Sequence, residues 1–304
     1  NVTIWSAVNR EVEALKTHRE NKISLPGVII PETIEITNDL KSAINGAEII
    51  VMAVASSFVR STSKLLKDLI PNGQIIVDVA KGIEDETFNT MTEIIEDELP
   101  NCDAVALSGP SHAEEVSIAI PTALVIASKH QNILKTIQDA FMSEKMRIYT
   151  SNDVKGVELG GALKNIIAFC AGVAAGIGLG DNSFAALITR GLKEIARLGI
   201  ELGGKEETFY GLSGLGDLIV TCLSEHSRNR KAGMLIGQGK SLEETKKEVG
   251  MVIESIDNIE VAYELGKLHN IEMPIVETVY KVLYENLNPQ EAVKNLMTRD
   301  KKME

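Results

Sequence analysis

In the first half of the chain, short runs of aliphatic and β-branched residues alternate with segments of helical period. The runs lie at residues 2–5, 48–54, 74–79, 104–107, 122–127 and 147–150, and residues 9–19, 58–69, 88–99 and 133–142 between them space apolar side chains three or four apart. Such alternation predicts a parallel sheet covered by helices on both faces. The near-continuous run Ile49-Ile50-Val51-Met52-Ala53-Val54 is the pattern of a strand buried on both faces. Beyond residue 150 the β-rich runs stop, and the helical period governs residues 153–175, 183–202, 242–248, 255–268, 275–284 and 289–297. Ser241 before Leu242-Glu243-Glu244 reads as a capping box, and Gly203-Gly204 as a helix stop. The prediction is an α/β plus all-α protein, with a doubly wound, Rossmann-like domain over 1–150 and a helical domain over 151–304. No Pro/Gly/Ser-rich linker separates them, so they should share a packed interface, and a cleft there is the expected ligand site.

A length of 304 residues suits two domains. The balance of 31 basic against 43 acidic residues, net −12, excludes a protein built for non-specific nucleic-acid binding. Cys102, Cys170 and Cys222 form no CxxC pair and no cluster of zinc-ligand spacing. Neither a disulfide framework nor a metal is expected, and a reducing, cytoplasmic setting follows. The longest uncharged stretch, 165–180, is broken by four glycines and is too short to span a bilayer. It reads as a core helix, not a membrane insertion.

A doubly wound domain that binds a dinucleotide needs a glycine-rich turn after its first strand, where backbone amides meet the pyrophosphate. No GxGxxG follows a strand here. One reading makes residues 2–5 the second strand of such a domain, with the first strand, its glycine turn and its helix, about 25 to 30 residues, missing ahead of Asn1. The other makes 2–5 an ordinary first strand in a protein that binds no dinucleotide.

Five segments carry candidate chemistry. Lys164 lies in an apolar helical stretch, where Val157, Gly161 and Ala168 share its face and leave room for a ligand. Burial and any nearby cation would lower its pKa toward the range useful for proton transfer, whereas a lysine that snorkels to the surface needs no function. Lys81-Gly82 and Ser108-Gly109-Pro110-Ser111 each follow a predicted strand, at the carboxyl end where such sheets bind ligands. Gly211-Leu212-Ser213-Gly214-Leu215-Gly216 delivers Asp217, either as a helix cap or as a carboxylate that holds substrate hydroxyls or orients a lysine. Ser227-Arg228-Asn229-Arg230 suits phosphate oxygens, though a solvated basic turn has the same composition.

Taken in order, these segments resemble the NAD(P)-dependent sn-glycerol-3-phosphate dehydrogenases of bacterial type. The likeness extends through His18-Arg19-Glu20-Asn21, Leu25-Pro26-Gly27, Gly156 to Asn165, Gly178-Leu179-Gly180-Asp181-Asn182, Ala186-Leu187-Ile188-Thr189-Arg190-Gly191 and Gly237-Gln238-Gly239-Lys240, nearly the whole chain. The resemblance implies hydride transfer between NAD or NADP and C2 of dihydroxyacetone phosphate, giving sn-glycerol 3-phosphate for phospholipid biosynthesis. It implies Lys164 as the catalytic proton donor and base, and Lys81, Gly109, Ser111, Asp217, Ser227, Arg228 and Asn229 as further substrate contacts. Lys81, Ala113, Arg228, Val252 and Glu254 are the implied cofactor contacts, the first domain being the dinucleotide-binding one and the second the substrate domain. A homodimer with a small phosphorylated substrate is also implied. The chain departs from the family in lacking the amino-terminal glycine fingerprint, in Ser6-Ala7-Val8 where a basic residue often follows the strand, and in Ala55 where the family has proline. A related hydroxyacid dehydrogenase, or a binding protein without catalysis, are the competing readings.

Overall fold

A computed structural model describes residues 1–301 and 303. Its first half carries the strands β1 (Thr3–Trp5), β2 (Glu35–Thr37), β3 (Ile49–Met52), β4 (Ile75–Asp78), β5 (Asp103–Ser108), β6 (Thr122–Ala127) and β7 (Met146–Ser151). Interleaved with them are α1 (Asn9–His18), α2 (Leu40–Ile44), α3 (Val59–Leu66), α4 (Met91–Glu98), α5 (Ala113–Ser117) and α6 (Gln131–Phe141). Each run read as a strand is one. The sheet is not parallel throughout, however. Strands β3, β4 and β5 run parallel, β5 and β6 antiparallel, and β6 and β7 parallel. A parallel crossover must travel back along the whole strand, about 20 Å for the six residues of β5. The five-residue α5 covers only about 7.5 Å, so β6 starts from the end at which β5 leaves off.

Strands β1 and β2 pair in a separate two-stranded sheet. The other sheet ends at β3, where Val51 is 46% exposed, which corrects the expectation of a strand buried on both faces. An outermost strand has a neighbour on one side only. The glycine turn of a dinucleotide site has no counterpart among the described residues.

The second half is helical: α7 (Val154–Gly176), α8 (Asp181–Glu201), α9 (Glu206–Phe209), α10 (Asp217–Leu223), α11 (Arg228–Gly237), α12 (Leu242–Val249), α13 (Glu254–Leu268), α14 (Pro274–Tyr284) and α15 (Pro289–Met297). Helix α7 is the axis of this half. It is long and apolar enough to cross a membrane, but the protein itself buries it. Its start is fixed by Asp153, whose Oδ1 accepts from Gly156 N at 2.9 Å and whose Oδ2 accepts from Lys205 N at 2.8 Å. One turn on, Glu158 accepts from Thr92 N and Thr90 Oγ1, both at 2.8 Å, and ties α7 to the start of α4 in the other half. Helix α11 crosses α7 with backbones in contact: a Cβ at Gly233 would stand 1.9 Å from Phe169 O, and one at Gly172 2.0 Å from Arg230 O. Glycines at this crossing set Arg228, the first residue of α11, beside the helix that carries Lys164.

Candidate active site

Lys164 lies midway along α7, 5% exposed. An ammonium so buried needs partners, and α10 supplies them. The Lys164 Nζ donates to Asp217 Oδ1 at 2.8 Å and to Thr221 Oγ1 at 2.6 Å, while Thr221 Oγ1 donates back to the Asp217 carbonyl at 2.7 Å. Asp217 opens α10 without capping it, so its carboxylate is free for the lysines. The second carboxylate oxygen, Oδ2, accepts from Lys81 Nζ at 2.6 Å, and that ammonium also donates to Gly109 O at 3.1 Å. One 2%-exposed carboxylate thus bridges two ammonium groups, one from each half of the protein. Each ammonium has three N–H donors and spends two of them, leaving one for a ligand.

Two glycines make this approach possible. A Cβ at Gly161 would stand 2.7 Å from Ser108 Oγ and 3.7 Å from the Lys81 side chain. Gly109, with φ of +127°, turns the chain after β5 so that its carbonyl reaches Lys81. Electrostatics follow from burial. Desolvation lowers the Lys164 pKa, and Lys81 lowers it further against the pull of Asp217. Burial pushes the Asp217 carboxyl up, but Lys164 and Lys81 together hold it below its ordinary value. His112, between the strand-end turn and α10, has its pKa lowered by burial and by Lys164, and its Nε2 is buried with no partner.

The remaining sequence-derived candidates form a second group. Ser227 caps α11 through Arg230 N at 3.2 Å, and Asn229 Oδ1 accepts from Ser255 N at 3.0 Å, so both side-chain oxygens already serve the fold. Arg228 stands 4.0 Å from Glu254 Oε1, and Glu254 Oε2 accepts from Asn165 Nδ2 at 2.9 Å. Asn165 adjoins Lys164 in sequence and so connects the two groups. Val252 lies 42% exposed just ahead of α13, Ala113 opens α5, and Ser111 Oγ donates to Gly109 O at 3.1 Å. Sequence reasoning missed Thr221, although its position four residues after Asp217 puts it on the same helical face. It also gave no role to Asn165, which only its place beside Lys164 could have suggested. Cavities of ≈ 450 and ≈ 490 Å³ lie elsewhere, one beside Tyr149 and Ser213, the other between α8, α14 and α15. The first of these lies in the seam between the halves, with Ala123, Val125 and Tyr149 on one side and Val157, Leu212 and Ser213 on the other, where a cleft is expected from the sequence.

A strand-and-helix half that offers strand-end turns, joined to a helical half that inserts a buried lysine beside them, is the architecture of two-domain nicotinamide-dependent oxidoreductases. The model of the NAD-dependent glycerol-3-phosphate dehydrogenase N-terminus matches residues 1–134, and that of the C-terminus matches residues 153–294. Glycerol-3-phosphate dehydrogenase [NAD(P)+] of Fusobacterium nucleatum is 54% identical over 306 residues, covering 100% of this chain and 91% of that protein. The Thermoanaerobacter sp. protein of the same name is 54% identical over 303 residues, with 100% and 91% covered. The crystal structure of glycerol-3-phosphate dehydrogenase from Coxiella burnetii superposes with a TM-score of 0.94 at 36% identity, over 98% of this chain and 92% of that one. The chain belongs to the NAD-dependent glycerol-3-phosphate dehydrogenase family, and the resemblance drawn from its motifs is borne out along its length.

Proposed function

We propose that this protein reduces dihydroxyacetone phosphate to sn-glycerol 3-phosphate with NADH or NADPH, in the cytoplasm, as a supply for phospholipid synthesis. The observation that carries the reading is the buried Lys164–Asp217–Lys81 bridge in a chain of this family. The residues around it fit a nicotinamide cofactor and its substrate. Ser108 Oγ is buried without a partner beside Lys81, and Asn165, Glu254 and Arg228 form a polar edge next to Lys164 suited to an amide and a ribose. When bound, the cofactor supplies the hydride.

The protein's own groups handle the charge that reaches the carbonyl oxygen. Lys164 Nζ, aimed by Asp217 and Thr221, directs its remaining N–H at that oxygen and gives up a proton as negative charge builds there. Its lowered pKa makes the transfer easier, and in the reverse direction the neutral amine takes the proton from the C2 hydroxyl. Lys81 uses its remaining N–H to hold the substrate, and with it Gly109 and Ser111 at the strand-end turn line the same side. Ser227, Arg228 and Asn229 at the start of α11 hold the phosphate end, with Arg228 the cation among them. Ala113, Val252 and Glu254 line the cofactor, together with Lys81 and Arg228. In this division residues 1–150 carry the dinucleotide and 151–304 the substrate, and two copies of the chain form the working dimer.

The test is oxidation of NADH and of NADPH by the purified protein with and without dihydroxyacetone phosphate. Oxidation that depends on that substrate is expected, and Lys164→Ala should lower turnover by about 10²-fold or more with an unchanged circular dichroism spectrum. Turnover of carboxylate-bearing keto acids in preference to dihydroxyacetone phosphate would overturn the substrate assignment.

A further inference from the structure

Strand β5 meets α7 in step. Ala106 clusters with Val157 of α7, and two residues on, where the same face of the strand comes round again, Ser108 meets Gly161: a Cβ there would stand 2.7 Å from the Ser108 Oγ. Lys164 follows three residues later on the helix, close to one turn. The Lys81 side chain comes within 3.7 Å of the same point. Ser108 is 4% exposed, and its Oγ has no hydrogen-bond partner. A buried hydroxyl normally finds one, as the Ser128 Oγ does by donating to Ala104 O of β5 at 2.8 Å. The carbonyl that follows Ser108 is already taken twice, since Gly109 O accepts from Lys81 Nζ and from Ser111 Oγ, both at 3.1 Å. The end of β5 therefore holds an unspent donor and acceptor against the bare backbone of Gly161, beside one active-site lysine and a turn from the other.

We propose, building on dihydroxyacetone phosphate as the substrate, that Ser108 is a specificity residue whose hydroxyl holds the C1 hydroxyl of that molecule. The C2 carbonyl carries two arms, one ending in phosphate and one in a hydroxyl. With the carbonyl oxygen at Lys164 and the phosphate at Arg228, which connects to Lys164 through Glu254 and Asn165, the hydroxymethyl arm is left to the side where Gly161 and Lys81 stand. A hydroxyl both donates and accepts, so it pairs with Ser108 in either sense. A methyl in its place leaves the Ser108 Oγ buried and unpaired, and a site built around a polar group strongly rejects the analogue that lacks it.

The experiment compares kcat/KM for dihydroxyacetone phosphate and for acetol phosphate, its analogue with a methyl in place of the hydroxymethyl group. The unaltered protein, Ser108→Ala and Ser108→Cys are measured side by side, with circular dichroism to confirm folding. The unaltered protein should prefer dihydroxyacetone phosphate by about 10²-fold or more. Ser108→Ala should lower that ratio by about tenfold, the loss falling on dihydroxyacetone phosphate. Ser108→Cys, whose thiol is only a weak donor and acceptor, should lie between the two. A serine that served the fold alone would change both substrates alike and leave the ratio where it was. An unchanged ratio in folded Ser108→Ala, or a ratio near one in the unaltered protein, would overturn the inference. No oxidation of NADH or NADPH with dihydroxyacetone phosphate by the unaltered protein would instead overturn the substrate reading, and the role of Ser108 with it.

Discussion

Replacing Asp217 by Asn tests the site at its most connected point, because the substitution keeps shape and removes only the charge that two lysines share. At 2.8 Å, the attraction between the Lys164 ammonium and the carboxylate is about 6 kcal/mol for an effective dielectric of about 20. Rearrangement of the side chains and entry of water will return part of that, and retaining half leaves about 3 kcal/mol, or about 2 pH units in the proton affinity of Lys164. Lys81 remains nearby, still repelling the ammonium. In Asp217→Asn the lysine should therefore be largely neutral at a pH where the unaltered protein keeps it charged. Reduction needs the charged form, so turnover should fall, by at most about 10²-fold and most at pH above the limb of the unaltered protein. The falling limb of the pH profile for reduction should move down by about 2 pH units. Steady-state reduction measured across pH for both proteins, with circular dichroism to confirm folding, is the assay. A limb at the same pH in both would refute the claim that Asp217 holds the proton on Lys164. Thr221→Val serves as the internal comparison. It removes one hydrogen bond without a formal charge, so it should cost only about 1 kcal/mol and leave the limb nearly in place.

Arg228→Ala should chiefly raise KM for dihydroxyacetone phosphate while kcat changes less, and initial-rate kinetics with wild-type KM would remove Arg228 from the phosphate end. Gly233→Ala inserts a methyl where 1.9 Å separates an ideal Cβ from Phe169 O, so urea denaturation should register a loss of about 1–3 kcal/mol or more, and an unchanged midpoint would mean that the crossing of α7 and α11 is not close-packed. Glu194 is pushed up to about 7 by burial, above its ordinary value, so the folded state binds a proton that the unfolded chain has released. Stability should fall by up to about 3 kcal/mol between pH 4.5 and pH 7 and then level off on this account; thermal melts of Glu194→Gln that keep the same slope over that window would assign it to other groups.

Much of the fold is visible in periodicity because burial imposes it. The strands β3 to β7 and the long helices α7 and α8 each repeat their pattern often enough to stand out. Strand β2 is three residues around a single buried Ile36, and α9 is four residues, too short for any period to register. The reversal at β6 was invisible for another reason: strand direction depends on the length of the connection, and α5 resembles the start of a longer helix. In the site, strand ends and glycine turns marked Lys81, Gly109 and Asp217 one by one. What joins them was hidden, since Lys81 and Asp217 lie 136 residues apart and Lys164 and Asp217 lie 53 apart. No local pattern encodes such a meeting. The capping work of Ser227 and the engagement of Asn229 with Ser255 were likewise legible only once α11 and α13 had been brought together.

The Asp217 carboxylate has two oxygens but one charge, and its partners come from opposite halves of the chain. Any motion that draws Lys81 away removes a repelling neighbour from Lys164 and leaves it the whole of that charge, so its proton is held more tightly. When the halves come together, the same proton is loosened. With Lys81 in place the lysine is the readier acid, so a change at Lys81 is felt at Lys164 through the carboxylate they share.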